Sequence, residues 1–175
     1  LLIKLFIKNP NDIKNLNVRE AYGTLGSSVG IACNLLLSLI KIAVGLISGS
    51  ISIIADGFNN LSDIGSSVIT MIGFKLAGKP ADSDHPFGHG RMEYISAFIV
   101  STLIMLVGFE LIKSSVSALI SGAAMPQYSI ISLIILAFSI LLKLYMFFFN
   151  RKIGKKIESE ALIATAQDSL NDCVA

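Results

Sequence analysis

Long runs of apolar residues separated by short polar stretches dominate this sequence. Five apolar segments can be delimited, at about residues 25–48, 51–77, 92–119, 128–149 and 159–175. Each of the first four provides the roughly 20 residues that cross a hydrocarbon core. Because backbone polar groups in lipid must be hydrogen-bonded within their own segment, the pattern predicts an all-α membrane protein, a polytopic bundle of transmembrane helices.

The last segment stops at residue 175 after 17 residues, which is barely enough for a crossing. It also leaves the number of crossings odd, and the sequence does not begin with Met. We therefore expect the sequence to be a piece of a longer protein, with the fifth helix cut short.

Basic residues cluster in three of the polar stretches: before the first segment, between the second and third, and between the fourth and fifth. They are Lys4, Lys8, Lys14 and Arg19, then Lys79 and Arg91, then Arg151, Lys152, Lys155 and Lys156. The other two connections, residues 48–50 and 121–127, contain none. Because basic loops remain in the cytoplasm, the N-terminus is predicted to be cytoplasmic. Residues 1–20 then form a cytoplasmic segment, and residues 21–175 form the transmembrane domain.

The composition agrees with a membrane protein and excludes other classes. Hydrophobic residues make up 53% of the chain and charged residues 15%, whereas a soluble domain has roughly a quarter charged residues. The formal charge of +2 gives no indication of a nucleic-acid partner, so the expected surroundings are a lipid bilayer. Cys33 and Cys173 lie in apolar segments without CxxC spacing, and we interpret them as small buried side chains.

Acidic and amide side chains interrupt the second and fifth segments. In the predicted topology, Asn59 and Asp63 lie one turn apart on the second helix, about 13 and 20 Å below its outer end. Asp168 and Asp172 lie one turn apart on the fifth helix, about 13 and 20 Å above its inner end. Both pairs therefore reach the middle of a core about 30 Å thick.

Such carboxylates need an explanation, because a charged group at this depth costs about 2.5–3.5 kcal/mol on insertion scales. One alternative is that they are protonated acids hydrogen-bonded to polar neighbours. A site for a divalent cation, with oxygen ligands from both helices, accounts better for their convergence. By contrast, Lys41, Lys75, Lys113 and Lys143 lie near the predicted helix ends, where their stems are expected to snorkel toward the interface.

The polar stretch between the second and third helices contains both histidines of the chain, His85 and His89, together with Asp82. Imidazole and carboxylate groups are typical ligands of zinc-like ions, and Gly88 allows the backbone to bend so that they converge. The spacing alone also fits a solvated loop whose histidines cap the third helix. Both interpretations remain open from the residues.

Two motifs in this order resemble the cation diffusion facilitator family. The first is SISIIADGFNNLSD at residues 50–63, and the second is HPFGHGR at residues 85–91. The likeness extends over about residues 18–175. It implies a six-helix transmembrane domain, usually followed by a small cytoplasmic αβ domain, in a homodimer that exchanges cytoplasmic metal for protons. The sixth helix and that domain are absent from this sequence.

The resemblance also implies which residues bind metal. The family's transport site takes two ligands from the second helix and two from the fifth, which correspond to Asn59, Asp63, Asp168 and Asp172. Its loop site, used by some members, corresponds to Asp82, His85 and His89. Zinc-transporting members typically have a histidine in the transport site, and this sequence has none there.

An all-oxygen ligand set bears on the choice of metal. Replacing imidazole with amide and carboxylate oxygen reduces the advantage that zinc has at most sites and favours harder ions. The set also resembles the manganese-type branch of the family. We therefore expect Mn²⁺ as the preferred substrate, with Fe²⁺ and Zn²⁺ as alternatives.

The function predicted from the sequence is proton-coupled export of divalent metal by alternating access, in a bacterial plasma membrane. This is secondary active transport and not enzymatic catalysis. Two rival interpretations are a fragment that does not transport and an integral-membrane metallohydrolase. The second rival needs a general base and an open coordination position beside a substrate cleft, and the histidines lie far from the midplane acids.

Overall fold

The computed structural model describes residue 3, residues 6–7, residues 10–121 and residues 130–174. Within these ranges the chain forms five helices and no strand: α1 (Leu16–Ser48), α2 (Ile51–Ala77), α3 (Met92–Ser121), α4 (Ile130–Ile157) and α5 (Glu160–Val174). The predicted all-α bundle is confirmed. Lys4, Lys8 and the predicted outer connection beyond Ser121 lie outside the described residues.

The first two helices form a tight antiparallel hairpin. Asn15 precedes α1, and its side chain accepts a hydrogen bond from the Asn17 N–H at 3.0 Å, which is typical of a helix N-cap. Gly49 ends α1 in the left-handed conformation with φ 65°, which glycine adopts without steric cost. Only Gly49 and Ser50 separate the two helices, so α1 and α2 pack side by side along their length.

The boundary between α4 and α5 differs from the sequence prediction. The prediction ended the fourth helix near residue 149 and placed Arg151, Lys152, Lys155 and Lys156 in a loop. In the structure these residues form the last two turns of α4, and only Glu158 and Ser159 separate α4 from α5. Lysine and arginine are good helix formers and are favourable near a helix C-terminus, so the helix continues beyond its apolar part.

Two pairs of neighbouring helices, α1 with α2 and α4 with α5, are brought together by contacts of α1 with α4 and of α2 with α5. Helix α3 packs against α2 and α5. This arrangement places α2 beside α5, the two helices that contain the predicted transport-site residues.

Three of the helices, α1, α3 and α4, are long and apolar enough to cross a membrane. Helix α2 has 27 residues, but its acidic and amide side chains lower its hydropathy. Helix α5 has 15 residues, fewer than the roughly 20 of a full crossing. The two helices outside the apolar set are thus the two that contain the candidate metal ligands.

Candidate functional site

Three carboxylates from two helices meet inside the bundle. One carboxylate oxygen from each of Asp63, Asp168 and Asp172 lies within 4.8 Å of those of the other two. All three residues are partly buried. Since oxygen ligands at this spacing need only small side-chain movements to coordinate one ion, the group is able to bind a divalent cation.

A lysine from a third helix joins this group. Lys143 lies near the middle of α4, and its side chain is 5% exposed. Its Nζ donates to Asp63 Oδ2 at 2.7 Å and also to Asp172 Oδ2. The site therefore contains three carboxylates and one ammonium group, contributed by α2, α4 and α5.

A hydrogen bond between α2 and α5 supports this arrangement. It lies toward the basic end of the bundle, the end where Lys79 follows α2 and Lys155 and Lys156 precede α5. Thr70 Oγ1 and Thr165 Oγ1 are 3.3 Å apart, and both residues are buried. One hydroxyl donates to the other, and the hydroxyl that accepts donates its own proton to the carbonyl four residues earlier in its helix, Ser66 for Thr70 or Ala161 for Thr165. Because Thr70 is two turns from Asp63 and Thr165 is one turn from Asp168, this contact helps to fix the separation of the acids.

Buried polar side chains continue from the acids toward the basic end of the bundle. Ser27, Asn34 and Asn150 are each at most 2% exposed. Polar atoms of all three have no hydrogen-bond partner among the described residues. Buried polar groups are normally paired, so these side chains make this part of the interior more polar than an ordinary apolar core.

Asn59, the fourth predicted ligand, lies one turn before Asp63 on α2 and is exposed. Within the described part of the chain its amide makes no hydrogen bond. Its neighbour Asn60 is 1% exposed and donates to the Asp56 carbonyl at 2.9 Å. The structure thus brings the three acids among the four predicted transport-site residues within 4.8 Å of one another.

The interpretation of two lysines as snorkelling residues was wrong. Lys143 binds the acids, and Lys41, which is 4% exposed, pairs with Asp56 Oδ2 at 2.8 Å. For Lys143, the error came from ending the predicted fourth helix too early. Once the helix is extended to Ile157, Lys143 stands about 20 Å from either end, too far for its stem to reach an interface.

The loop between α2 and α3 brings together the second predicted group. Ligand atoms of Asp82, His85 and His89 all lie within 4.8 Å of one another. His89 Nδ1 is 3.2 Å from the Pro80 carbonyl. A carbonyl can only accept, so Nδ1 donates to it, and Nε2, 3.5 Å from Asp82 Oδ2, is the ring nitrogen that could bind a metal shared with that carboxylate.

The surroundings of Asp82 favour its deprotonated form, which is the form that can bind a metal. The His85 backbone N–H donates to Asp82 Oδ1 at 2.7 Å. This hydrogen bond, together with the two nearby imidazoles, lowers the pKa of the Asp82 carboxyl below its usual value. Metal ligands must be deprotonated, and Asp82 therefore keeps its ligand form to lower pH than an ordinary aspartate.

An ion pair ties three parts of the bundle together at the basic end. Arg19 on α1 binds Glu93 on α3 through two hydrogen bonds, of 2.8 and 2.9 Å. The same guanidinium donates to the Ile157 carbonyl and, at 3.2 Å, to the Glu158 carbonyl. The sequence reasoning used Arg19 only for orientation and did not predict this contact.

The chain is similar to one family model and to several known proteins. Residues 27–175 match the model of the cation efflux transmembrane domain. The chain is 37% identical over 150 residues to the manganese efflux system protein MneS of Bacillus subtilis, covering 86% of this chain and 51% of that protein. It is 32% identical over 157 residues to the manganese efflux system protein MneP of the same organism, covering 90% and 52%.

A third similar protein is an uncharacterized transporter of Methanocaldococcus jannaschii, 36% identical over 147 residues, covering 84% of this chain and 52% of that protein. The chain spans about half the length of these curated relatives.

Proposed function

The chain belongs to the cation efflux transmembrane domain family, the cation diffusion facilitators, and from this premise we propose that it transports divalent metal cations out of the cytoplasm. The observation that supports the proposal is the meeting of Asp63, Asp168 and Asp172 within the bundle. Intramembrane carboxylates that face a bundle interior mark ion pathways. As an integral membrane protein of this family it is a transporter and not an enzyme.

The charges of the site suggest how transport is driven. Three adjacent carboxylates beside one ammonium group leave an excess of negative charge in a medium of low dielectric constant, so the site takes up protons when no metal is bound. A dication arriving from the cytoplasm displaces these protons, and protons from the other side later displace the metal. Competition at one site, combined with alternation between inward-open and outward-open states, couples metal export to proton import.

The topology of the proposal has the N-terminus in the cytoplasm of a bacterial cell and the site within the plasma membrane. Its support is the distribution of basic residues, now including the last two turns of α4. The buried polar side chains of Ser27, Asn34 and Asn150 would favour the passage of an ion to the acids from the cytoplasmic side. We further propose that the protein acts as a homodimer, as the family resemblance implies.

Among divalent metals we propose Mn²⁺ as the preferred substrate, with Fe²⁺ and Zn²⁺ as weaker alternatives. The described acid cluster offers oxygen ligands, which suit harder ions than imidazole does. Two of the similar proteins are named as manganese efflux proteins. In this proposal Asn59 completes the ligand set by turning its amide oxygen toward the ion, one helical turn from Asp63.

Replacing Asn59 with histidine is expected to shift selectivity toward zinc, because an imidazole nitrogen then enters the ligand set. The ratio of Zn²⁺ to Mn²⁺ transport should rise by about tenfold or more, because replacing even a residue that supports a metal ligand changes metal affinity by about 10–100-fold. The measurement is a competition assay with both ions in reconstituted vesicles. Asn17→His, on the exposed start of α1, is the matched control. An unchanged ratio in Asn59→His would refute the role of Asn59.

We propose that Asp82, His85 and His89 form a second metal site in the loop. Its support is the convergence of their ligand atoms and the lowered pKa of Asp82. Because two of the three residues are exposed, this site is accessible from the cytoplasmic side of the proposed topology. Its ligands include imidazole, so it favours softer ions than the transport site does.

The experiment that tests the proposed function is metal flux in liposomes containing the purified chain. With an imposed pH gradient, Mn²⁺ is expected to move against the proton flow, and collapse of the gradient with an ionophore should stop its accumulation. Proton movement without added metal should remain near that of protein-free liposomes. A correctly inserted and folded protein that gives no metal-dependent flux would instead support the interpretation as a non-transporting fragment.

A further inference from the structure

The ammonium group of Lys143 lies among the acids proposed to bind metal, and nothing in the proposed transport mechanism uses it. Its side chain is 5% exposed, and it contacts one oxygen of Asp63 and one of Asp172. These two acids come from different helices, and the ammonium links them. A lysine in this place is more than a structural partner, because its acceptors are the proposed ligands themselves.

An ammonium and a metal ion compete for the same oxygens. The Lys143 nitrogen is 2.7 Å from Asp63 Oδ2, and a coordinated divalent ion would lie about 2.0–2.2 Å from a carboxylate oxygen. An ion bound to these carboxylates would therefore lie close to the ammonium. Positive charges at such a distance also repel one another strongly in a low-dielectric interior, so the ion and the ammonium exclude each other from the acids.

We infer that Lys143 is a tethered competitor of the transported metal, a cation supplied by the protein that holds Asp63 and Asp172 together and that an entering dication must displace. The inference rests on the proposed function of the acid cluster. A group fixed to α4 is always near the acids, so it acts at a high effective concentration. It therefore weakens metal binding and, by returning to the acids, promotes metal release.

If Lys143 competes with the metal, removing its ammonium should tighten metal binding but slow transport. Without the ammonium, the metal no longer has to break two charge-assisted hydrogen bonds in order to bind. It also no longer has a group that takes its place when it leaves. A lysine with a merely structural role would, by contrast, weaken both metal binding and transport when removed.

The test compares Lys143→Met with the wild-type chain in equilibrium binding of Mn²⁺, followed through the EPR signal of the free ion. We expect the dissociation constant to fall by at least about tenfold and the maximal transport rate in liposomes to fall as well. Lys41→Met is the matched control, since Lys41 is an equally buried lysine paired with Asp56 and not with the three acids. Its dissociation constant should change by less than about twofold.

Unchanged or weaker Mn²⁺ binding in a folded Lys143→Met protein would overturn the inference. Lys143→Arg, which keeps a cation on the acids, should bind Mn²⁺ no more tightly than wild type, and tighter binding there would also contradict it. Asp63→Asn distinguishes a failure of the proposed function from a failure of the inference about Lys143. If that variant binds Mn²⁺ as wild type does, the proposed function fails. If it loses Mn²⁺ binding while Lys143→Met binds Mn²⁺ no more tightly than wild type, only the inference about Lys143 fails.

A measurement on the wild-type chain covers the case in which the variants do not fold. Amine-reactive labelling read by mass spectrometry reports the modification rate of Lys143 itself. Saturating Mn²⁺ is expected to raise this rate, because the displaced ammonium loses its acceptors, while the rate at Lys41 stays constant. Equal labelling of Lys143 with and without Mn²⁺ would overturn the inference independently of any substitution.

Discussion

Asp63→Asn and Asp172→Asn are each expected to abolish metal transport while the protein remains inserted and folded. Each substitution removes one negative charge and replaces a carboxylate oxygen with an amide of similar shape. Loss of even an outer partner of a metal ligand costs about 10–100-fold in affinity, so loss of a ligand should cost at least as much. Because the same carboxylates are proposed to exchange protons for metal, the proton flux should disappear together with the metal flux.

The measurement is initial Mn²⁺ flux in liposomes, normalised to the amount of inserted protein. The matched control is Asp56→Asn, an acid of α2 that pairs with Lys41 instead of Lys143 and that should retain most transport. The double variant His85→Ala with His89→Ala should also transport, since the loop group is separate from the three acids. Transport at wild-type rates in Asp63→Asn and Asp172→Asn would exclude the acid cluster as the transport site.

Much of the fold follows from the hydrophobic pattern alone. The predicted second segment coincides with α2 (Ile51–Ala77), and the start of α3 at Met92 is as predicted. These ends are sharp in the sequence, because Gly78 and Pro80 follow α2 and a glycine-rich loop precedes α3. The pattern failed where a helix continues beyond its apolar part: α1 begins at Leu16 and α4 continues to Ile157, since polar and charged residues such as Arg19 and Lys155 also form helix there.

The composition of the acid cluster was predictable only in part. Counting residues from the helix ends placed Asp63, Asp168 and Asp172 at one depth, because helical rise converts sequence directly into distance. The same counting cannot show which helix lies opposite the acids. Lys143 was missed for this reason as well as because the predicted helix was too short: its contacts with Asp63 and Asp172 depend on how α4 packs against α2 and α5, which depth alone does not determine.

Arg19→Met is expected to lower the stability of the protein by about 3 kcal/mol, because removing the guanidinium, whose side chain is 25% exposed, leaves a buried carboxylate without its partner. The carboxylate left behind belongs to Glu93, which is 5% exposed. The substitution also removes the donor to the Ile157 and Glu158 carbonyls, at the corner from which α5 begins. Since α5 contains Asp168 and Asp172, a looser corner should weaken Mn²⁺ binding as well as stability.

Thermal unfolding of the purified protein measures the first effect, with an expected decrease in Tm of about 6–12 °C for a chain of this size. Arg91→Met is the matched control, an exposed arginine on the same loop side that forms no ion pair within the described ranges, and its Tm should stay near that of wild type. Replacing both partners, Arg19→Met with Glu93→Met, should recover much of the lost stability, because no charge is then left buried without a partner. A Tm for Arg19→Met equal to that of Arg91→Met would mean that water already solvates Glu93, and the ion pair would then not position α5.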